Sequence, residues 1–315
     1  MNDFVWPNFY IVGAVKSGTT SLYAYLKQHP QVFLPAMKEP HFFTEPHPAP
    51  EQTHLIQYVA TLREYQHLYR GADRFPRIGD ASPSYLWCPE AAERIYRVRP
   101  DAKIIVILRD PVQRAYAQYL MDFNEGVLNE PFMIALQHDW NRADKGWGVS
   151  QLYLELGQYT QQILRYQRRF GAQQVHICLL EDLKRNPLQV LKGIGEFLDI
   201  DQTIMGQLQI NAAHNAHRLP RGNWVRTLAS NPATRYIGEY LFPRQWGEYI
   251  WQHLFLRKGR KPPMDLEAQR FLQTFYESEI QHLEVLMARP LPELRSSWKC
   301  FESGESSRAA ELPKG

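Results

Sequence analysis

Cysteine is scarce in this sequence. The 315 residues include three, Cys88, Cys178 and Cys300, and their wide, unpaired spacing excludes a zinc ribbon or a disulfide framework and fits a reducing compartment. Long apolar runs are also missing. The strongest, IIVIL from Ile104, has the length of a strand, and the opening MNDFVWPNF lacks the basic and apolar regions of a signal peptide, so neither a membrane span nor a leader is expected. No asparagine stands in an N-x-[ST] acceptor. A formal charge of +3 is too small to imply nucleic acid as a partner. What remains is the expectation of a soluble, cytoplasmic globular protein, with 44% hydrophobic and 13% aromatic residues to build its core.

Apolar runs rich in β-branched residues at 9–15, 103–108 and 175–180 are each followed by a helical pattern. They predict parallel strands in β-α units, hence an α/β wound sheet flanked by helices in a single domain. The helix after the first run carries Leu22, Tyr25, Leu26 and His29 on one face and is expected to end before Pro30. Later helices are predicted over 153–170, 188–198 and 265–287, the last with Leu272, Phe275, Tyr276, Leu283 and Leu286 on a core-facing stripe. The segments EPHPAP (45–50) and DWNRADKGWGV (139–149) read as surface loops, and the polar stretch 302–315 as a disordered tail after a domain covering 1–301.

Chemistry concentrates in FYIVGAVKSGTTSLYAYL, residues 9–26. A strand, a glycine-bearing turn and a helix follow one another there, the outline of a phosphate-binding loop. Gly13 and Gly18 have the separation found in ATP-binding loops of the form G-x-x-x-x-G-K-[ST], but Thr19 and Thr20 follow the second glycine and the lysine, Lys16, lies inside the loop. Backbone N–H groups of Ser17, Gly18, Thr19, Thr20 and Ser21 at a helix N-terminus would favour an oxyanion, with the hydroxyls as further donors. A second cluster, IIVILRDPVQRAYAQYLM, puts Arg109 at the end of a predicted parallel strand, where wound sheets bind ligands, with Pro111 opening the next helix. Arg109 can fork onto a phosphate, whereas Arg114 reads equally well as a partner of surface carboxylates.

In combination, K-S-G-T-T and R-D-P-x-x-R-A-Y resemble the sulfotransferases that use 3′-phosphoadenosine-5′-phosphosulfate (PAPS). KEPHFF (38–43), GDASPSYL (79–86), LLEDLKRNP (179–187) and KGRKPPMDLEAQRFL (258–272) extend the likeness, in order, to the sulfotransferases of heparan-type polysaccharides and their bacterial relatives, over roughly residues 8–298. The resemblance implies a P-loop-like fold and sulfuryl transfer from PAPS, with its product PAP, to a hydroxyl or amine acceptor such as a glycan, without a metal. By the same resemblance, the first loop holds the 5′-phosphosulfate, Lys16 stabilises the leaving phosphate oxygen, Arg109 holds the 3′-phosphate, and Lys258, Gly259, Arg260 and Lys261 belong to a loop closing over the nucleotide. Arg221 offers a further basic contact.

Glu39 matches the family's catalytic carboxylate, and transfer to a hydroxyl or amine needs a base of this kind near the acceptor's proton. His41 titrates in the right range for the same task, but its two aromatic neighbours favour a packed or orienting role. Two departures stand out. Ala81 occupies the position of a lysine, and Ala117 that of a serine, in the resembling enzymes. Asp80 and Ser82 are left as polar candidates for acceptor contact. Two rival readings stay open: a nucleotide kinase or ATPase with a degenerate loop, in which Asp110 binds magnesium, and a nucleotide-binding module without turnover.

Overall fold

The computed structural model describes residues 4–45, 58–143, 145, 150–210, 218–220, 256–258 and 261–298. A five-stranded parallel sheet forms its centre: β1 (Phe9–Gly13), β2 (Val32–Phe33), β3 (Arg77–Ala81), β4 (Lys103–Leu108) and β5 (Val175–Leu179). The order across the sheet is β2-β3-β1-β4-β5. Side chains alternate along each strand. Tyr10, Val12, Ile104, Val106 and Leu108 enter one core layer, while Phe9, Ile11, Ile105 and Ile107 enter the other. Burial on both faces is why β1 and β4 read as continuous apolar runs.

Helices α1 (Thr19–Leu26), α8 (Leu180–Arg185) and α9 (Pro187–Phe197) cover one face through Leu22, Leu183 and Leu191. On the other lie α2 (Leu62–Leu68), α3 (Ser84–Trp87), α4 (Ala91–Val98), α7 (Tyr159–Phe170) and α10 (Leu266–Leu286). The helices α5 (Pro111–Asn124) and α6 (Phe132–Asn141) form a third cluster with α10 through Tyr119, Leu136 and Leu272. A short antiparallel pair joins β6 (Arg218–Pro220) to β7 (Leu256–Lys258).

The three predicted strands are present, and β2 and β3 add two that the apolar pattern missed. The predicted 153–170 helix begins at Tyr159, because the N–H groups of Tyr153 and Leu154 donate instead to Asp139 Oδ2, both at 2.8 Å. Asp139 is therefore no loop residue: it lies in α6 and is fully buried. The first helix ends at Leu26, so His29 follows it, buried with Nε2 2.9 Å from the Asp201 carbonyl oxygen. Residues 46–50, 146–149 and 302–315 lie outside the described residues.

From β1 the chain runs to β2 and β3 on one side, then crosses to β4 on the other. The strand order reverses at β1, and the crevice beyond the carboxyl ends of β1 and β4 is where a wound sheet holds its ligand. The loop with Lys16 leaves β1, and Arg109 leaves β4.

Candidate active site

Gly18 caps α1 with φ 97°, and a Cβ there would stand 2.6 Å from Leu180 Cδ1. The left-handed conformation demands glycine, and a side chain there would have to push the Leu180 methyl aside. The loop uses part of its own donor set: Ser17 N–H donates to Ala14 O at 3.2 Å and Ser21 N–H to Gly18 O at 3.1 Å. Of the five amides expected to face an oxyanion, these two are thus engaged. Among the described residues no acceptor takes the N–H groups of Gly18, Thr19 or Thr20, and those three remain at the positive end of α1.

Lys16 sits beside this nest, half-buried, with Nζ 3.4 Å from Met121 Sδ on α5. Burial holds its ammonium below the usual lysine range, opposed by the carboxylates of Glu125 and Asp122. Asp122 gave no signal in the sequence. It is buried, accepts from Gln151 N–H and Tyr153 OH at 2.8 Å each and from Ser150 Oγ at 3.2 Å, and burial pushes it up to about 6.

Glu39 docks on the end of β3, its N–H donating to Ala81 O at 3.1 Å. Its Oε1 receives the Lys38 ammonium, and its Oε2 lies 3.6 Å from His41 Nε2. His41 Nδ1 is 2.6 Å from Ser84 Oγ, and its main-chain N–H donates to Ser82 Oγ at 3.2 Å. Burial, and secondarily the Lys38 charge, push the imidazole down to about 3, so it is neutral near pH 7. Lys16, Glu39 and His41 have φ of 60°, 64° and 53°, a left-handed conformation that side-chain-bearing residues seldom adopt and that clusters at functional sites.

Asp80 and Ser82, expected as acceptor contacts, are fully buried beneath this group. Asp80 accepts from Tyr65 OH at 2.7 Å, Tyr85 OH at 2.9 Å and Ser82 Oγ at 2.8 Å. Burial raises its carboxyl to about 6 against the pull of these donors. The pair supports the floor of the site.

Arg109 Nη1 donates to the Lys16 carbonyl at 3.0 Å, and Tyr159 OH donates to the Arg109 carbonyl at 2.8 Å. Arg114 is not a surface residue: it is fully buried, with Nη1 on Gln118 Oε1 at 2.7 Å and Nη2 on the Tyr153 carbonyl. Asp110 caps α5, its Oδ1 accepting from Val112 N–H at 2.9 Å, while its Oδ2 accepts from Ser297 N–H and Oγ at 3.0 and 2.6 Å.

The sequence model of the sulfotransferase family matches residues 7–203. This chain belongs to the sulfotransferase family. It is similar to mouse carbohydrate sulfotransferase 15, 28% identical over 252 residues that cover 62% of this chain and 44% of that protein. It is also similar to the mouse bifunctional heparan sulfate N-deacetylase/N-sulfotransferase 4, 25% identical over 304 residues, 91% of this chain and 31% of the relative. The chain thus spans less than half the length of these curated relatives. Among solved structures, a sulfotransferase from Alicyclobacillus acidocaldarius superposes with a TM-score of 0.68 at 28% identity, covering 92% of this chain and 99% of that one.

Of the basic residues expected to close over the nucleotide, Arg221, Gly259 and Arg260 lie outside the described residues, and Lys258 is described only in its main chain, in β7. The fourth residue of that segment, Lys261, is described with its side chain. Lys261 Nζ donates to Gln113 Oε1 at 2.8 Å and sits 4.5 Å over the Tyr116 ring, and burial with the Arg109 charge brings its ammonium down to about 8. Gln113, Ala117 and Met121 follow at i, i+4 and i+8 along α5, so one stripe runs from Lys261 past Ala117 to Lys16.

Proposed function

We propose that this sulfotransferase moves a sulfuryl group from PAPS to a hydroxyl or amine of a carbohydrate, in the cytoplasm. The observation that carries this reading is the grouping of three loop amides that find no acceptor among the described residues with the Lys16 ammonium, whose charge reaches Lys38 and through it the Glu39 carboxylate, while Arg109 is bonded to the loop itself. The amides and Lys16 form an anion cradle suited to the phosphosulfate. Glu39 takes the proton from the acceptor's O–H or N–H, and the freed electron pair forms the new bond to sulfur. The bond from sulfur to the phosphate oxygen breaks with its pair on that oxygen, and Lys16 neutralises the charge on departing PAP. Arg109 and Lys261 supply cations for the 3′-phosphate. The names of the carbohydrate sulfotransferase relatives support a glycan acceptor, and the free thiols of Cys88 and Cys178 are compatible with a reducing compartment.

The ATPase reading is disfavoured on geometry, since both Asp110 oxygens are engaged by main-chain and side-chain donors. Calorimetric titration with PAP, with ATP and magnesium as control, tests the donor site: PAP should bind far more tightly. Transfer of radiolabelled sulfate from PAPS to N-desulfated heparin and to desulfated chondroitin then tests turnover. Preference for ATP would refute the donor assignment, and PAP binding with no transfer to any acceptor in a broad screen would favour the module without turnover.

A further inference from the structure

Lys38 shares a short segment with Glu39, yet sulfuryl transfer as described makes no use of it. Its ammonium contacts Glu39 Oε1, and its side chain is 16% exposed against 36% for the carboxylate it touches. The two oxygens of Glu39 therefore meet different surroundings. Oε1 faces a cation, whereas Oε2 faces His41 Nε2 at 3.6 Å, an imidazole held neutral by burial. The main chain of Glu39 is fixed separately on Ala81 O at 3.1 Å. Further charges reach Lys38 from other elements: Lys16 from the loop after β1, and Asp80 from β3. Burial and the Lys16 charge lower the Lys38 ammonium, with Asp80 opposing them. The cation is confined among groups that leave Glu39 as its direct carboxylate contact.

We propose that Lys38 is the positioning residue of the base: its ammonium pins Glu39 Oε1, keeps the carboxylate ionised, and leaves Oε2 as the oxygen that receives the acceptor's proton. This inference rests on the assignment of Glu39 as the base. In the step itself Oε2 gains the proton, the acceptor atom keeps the bonding pair and spends it on sulfur, and the sulfur–oxygen bond to PAP breaks with its pair on the leaving oxygen. Lys38 neither gains nor loses a proton.

The test reads the Glu39 carboxyl directly, by carbon-13 NMR of protein labelled at glutamate, the Glu39 resonance being the one that vanishes in Glu39→Gln. Removing a cation in contact with a carboxylate moves its midpoint up, here by about one pH unit for a partly exposed group. Lys38→Met should show that shift and Lys38→Arg should keep the wild-type midpoint, while PAP calorimetry stays unchanged in both as a check on folding. Lys38→Gln serves as a second neutral replacement should Lys38→Met fail to fold. Equal Glu39 midpoints in wild type and the neutral variant would overturn the proposal. Failure of the wild type to bind PAP, or retained transfer in Glu39→Gln, would count against the sulfotransfer reading and leave the titration result standing.

Discussion

The guanidinium of Arg109 holds the main-chain carbonyl of Lys16 at 3.0 Å, across the boundary between the two central strands. One side chain thus braces the loop that carries the lysine while its own position is set by the end of β4 and by the Tyr159 phenol. Arg109→Ala should weaken PAP by roughly tenfold to a hundredfold, the scale of a lost hydrogen bond to a charged group. The brace adds a second expectation, that adenosine 5′-phosphate is weakened as well. Calorimetry on both nucleotides checks this, and a loss confined to PAP would mean the contact with Lys16 has no bearing on the loop.

Lys16→Ala should nearly abolish turnover yet leave PAP binding measurable, because the contacts to adenosine and the 3′-phosphate do not depend on this ammonium. Single-turnover transfer from PAPS, run beside PAP calorimetry, separates the two effects. Unchanged turnover would remove Lys16 from the leaving-group role.

Ala117 lies on the α5 stripe between Gln113, which binds Lys261, and Met121, which contacts Lys16. A hydroxyl introduced there as Ala117→Ser should tighten PAP by about tenfold to a hundredfold and leave adenosine 5′-phosphate unchanged. Lys261→Met should act in the opposite direction with the same selectivity. Equal changes for the two nucleotides would mean that this stripe does not face the 3′-phosphate.

His41 gives the fold a pH dependence of known sign. Its imidazole titrates near 6.5 in the unfolded chain and at about 3 when folded, so between those values the unfolded state binds the additional proton. The contribution is fully present above pH 6.5 and is lost as pH falls toward 3, by up to about 1.4 kcal/mol per pH unit. Asp80 and Asp122 oppose it, since carboxyls raised to about 6 stabilise the fold at low pH and lose that contribution as pH rises through 6. The difference between wild type and His41→Gln in urea unfolding at pH 5 and pH 7 isolates the histidine. Parallel changes in the two proteins would show that His41 protonates as readily in the folded state.

Strands β1 and β4 were legible because they lie inside the sheet, are buried on both faces and carry unbroken apolar runs, whereas the edge strand β5 was legible from its apolar and β-branched residues despite His176. The short β2 and the sequence RIGDA of β3 carry no such run: their register comes from pairing, with Phe9 opposite Gly79 and Val32 opposite Arg77. The loop after β1 was legible for another reason, since glycine and hydroxyl residues between a strand and a helix are chemically distinctive. Arg114, Asp122 and Asp139 were illegible because a buried charge looks like a surface charge until its partners are known. Those partners are the Tyr153 carbonyl for Arg114, the Gln151 and Tyr153 donors for Asp122, and the Tyr153 and Leu154 amides for Asp139, each distant in sequence.

Lys16, Glu39 and His41 share a left-handed backbone that costs a residue with a Cβ about 1–2 kcal/mol. Glycine at Lys16 or Glu39 would relieve that cost and remove a side chain to which the proposed chemistry is assigned, whereas at His41 it would also leave a cavity and take away the partner of Ser84. Tolerance to heat and rate of turnover are therefore opposed at the first two positions. A library selected only for a higher melting temperature should gather glycines at positions 16 and 39 and lose its transfer activity, whereas one selected for activity should find its stabilising changes elsewhere in the fold.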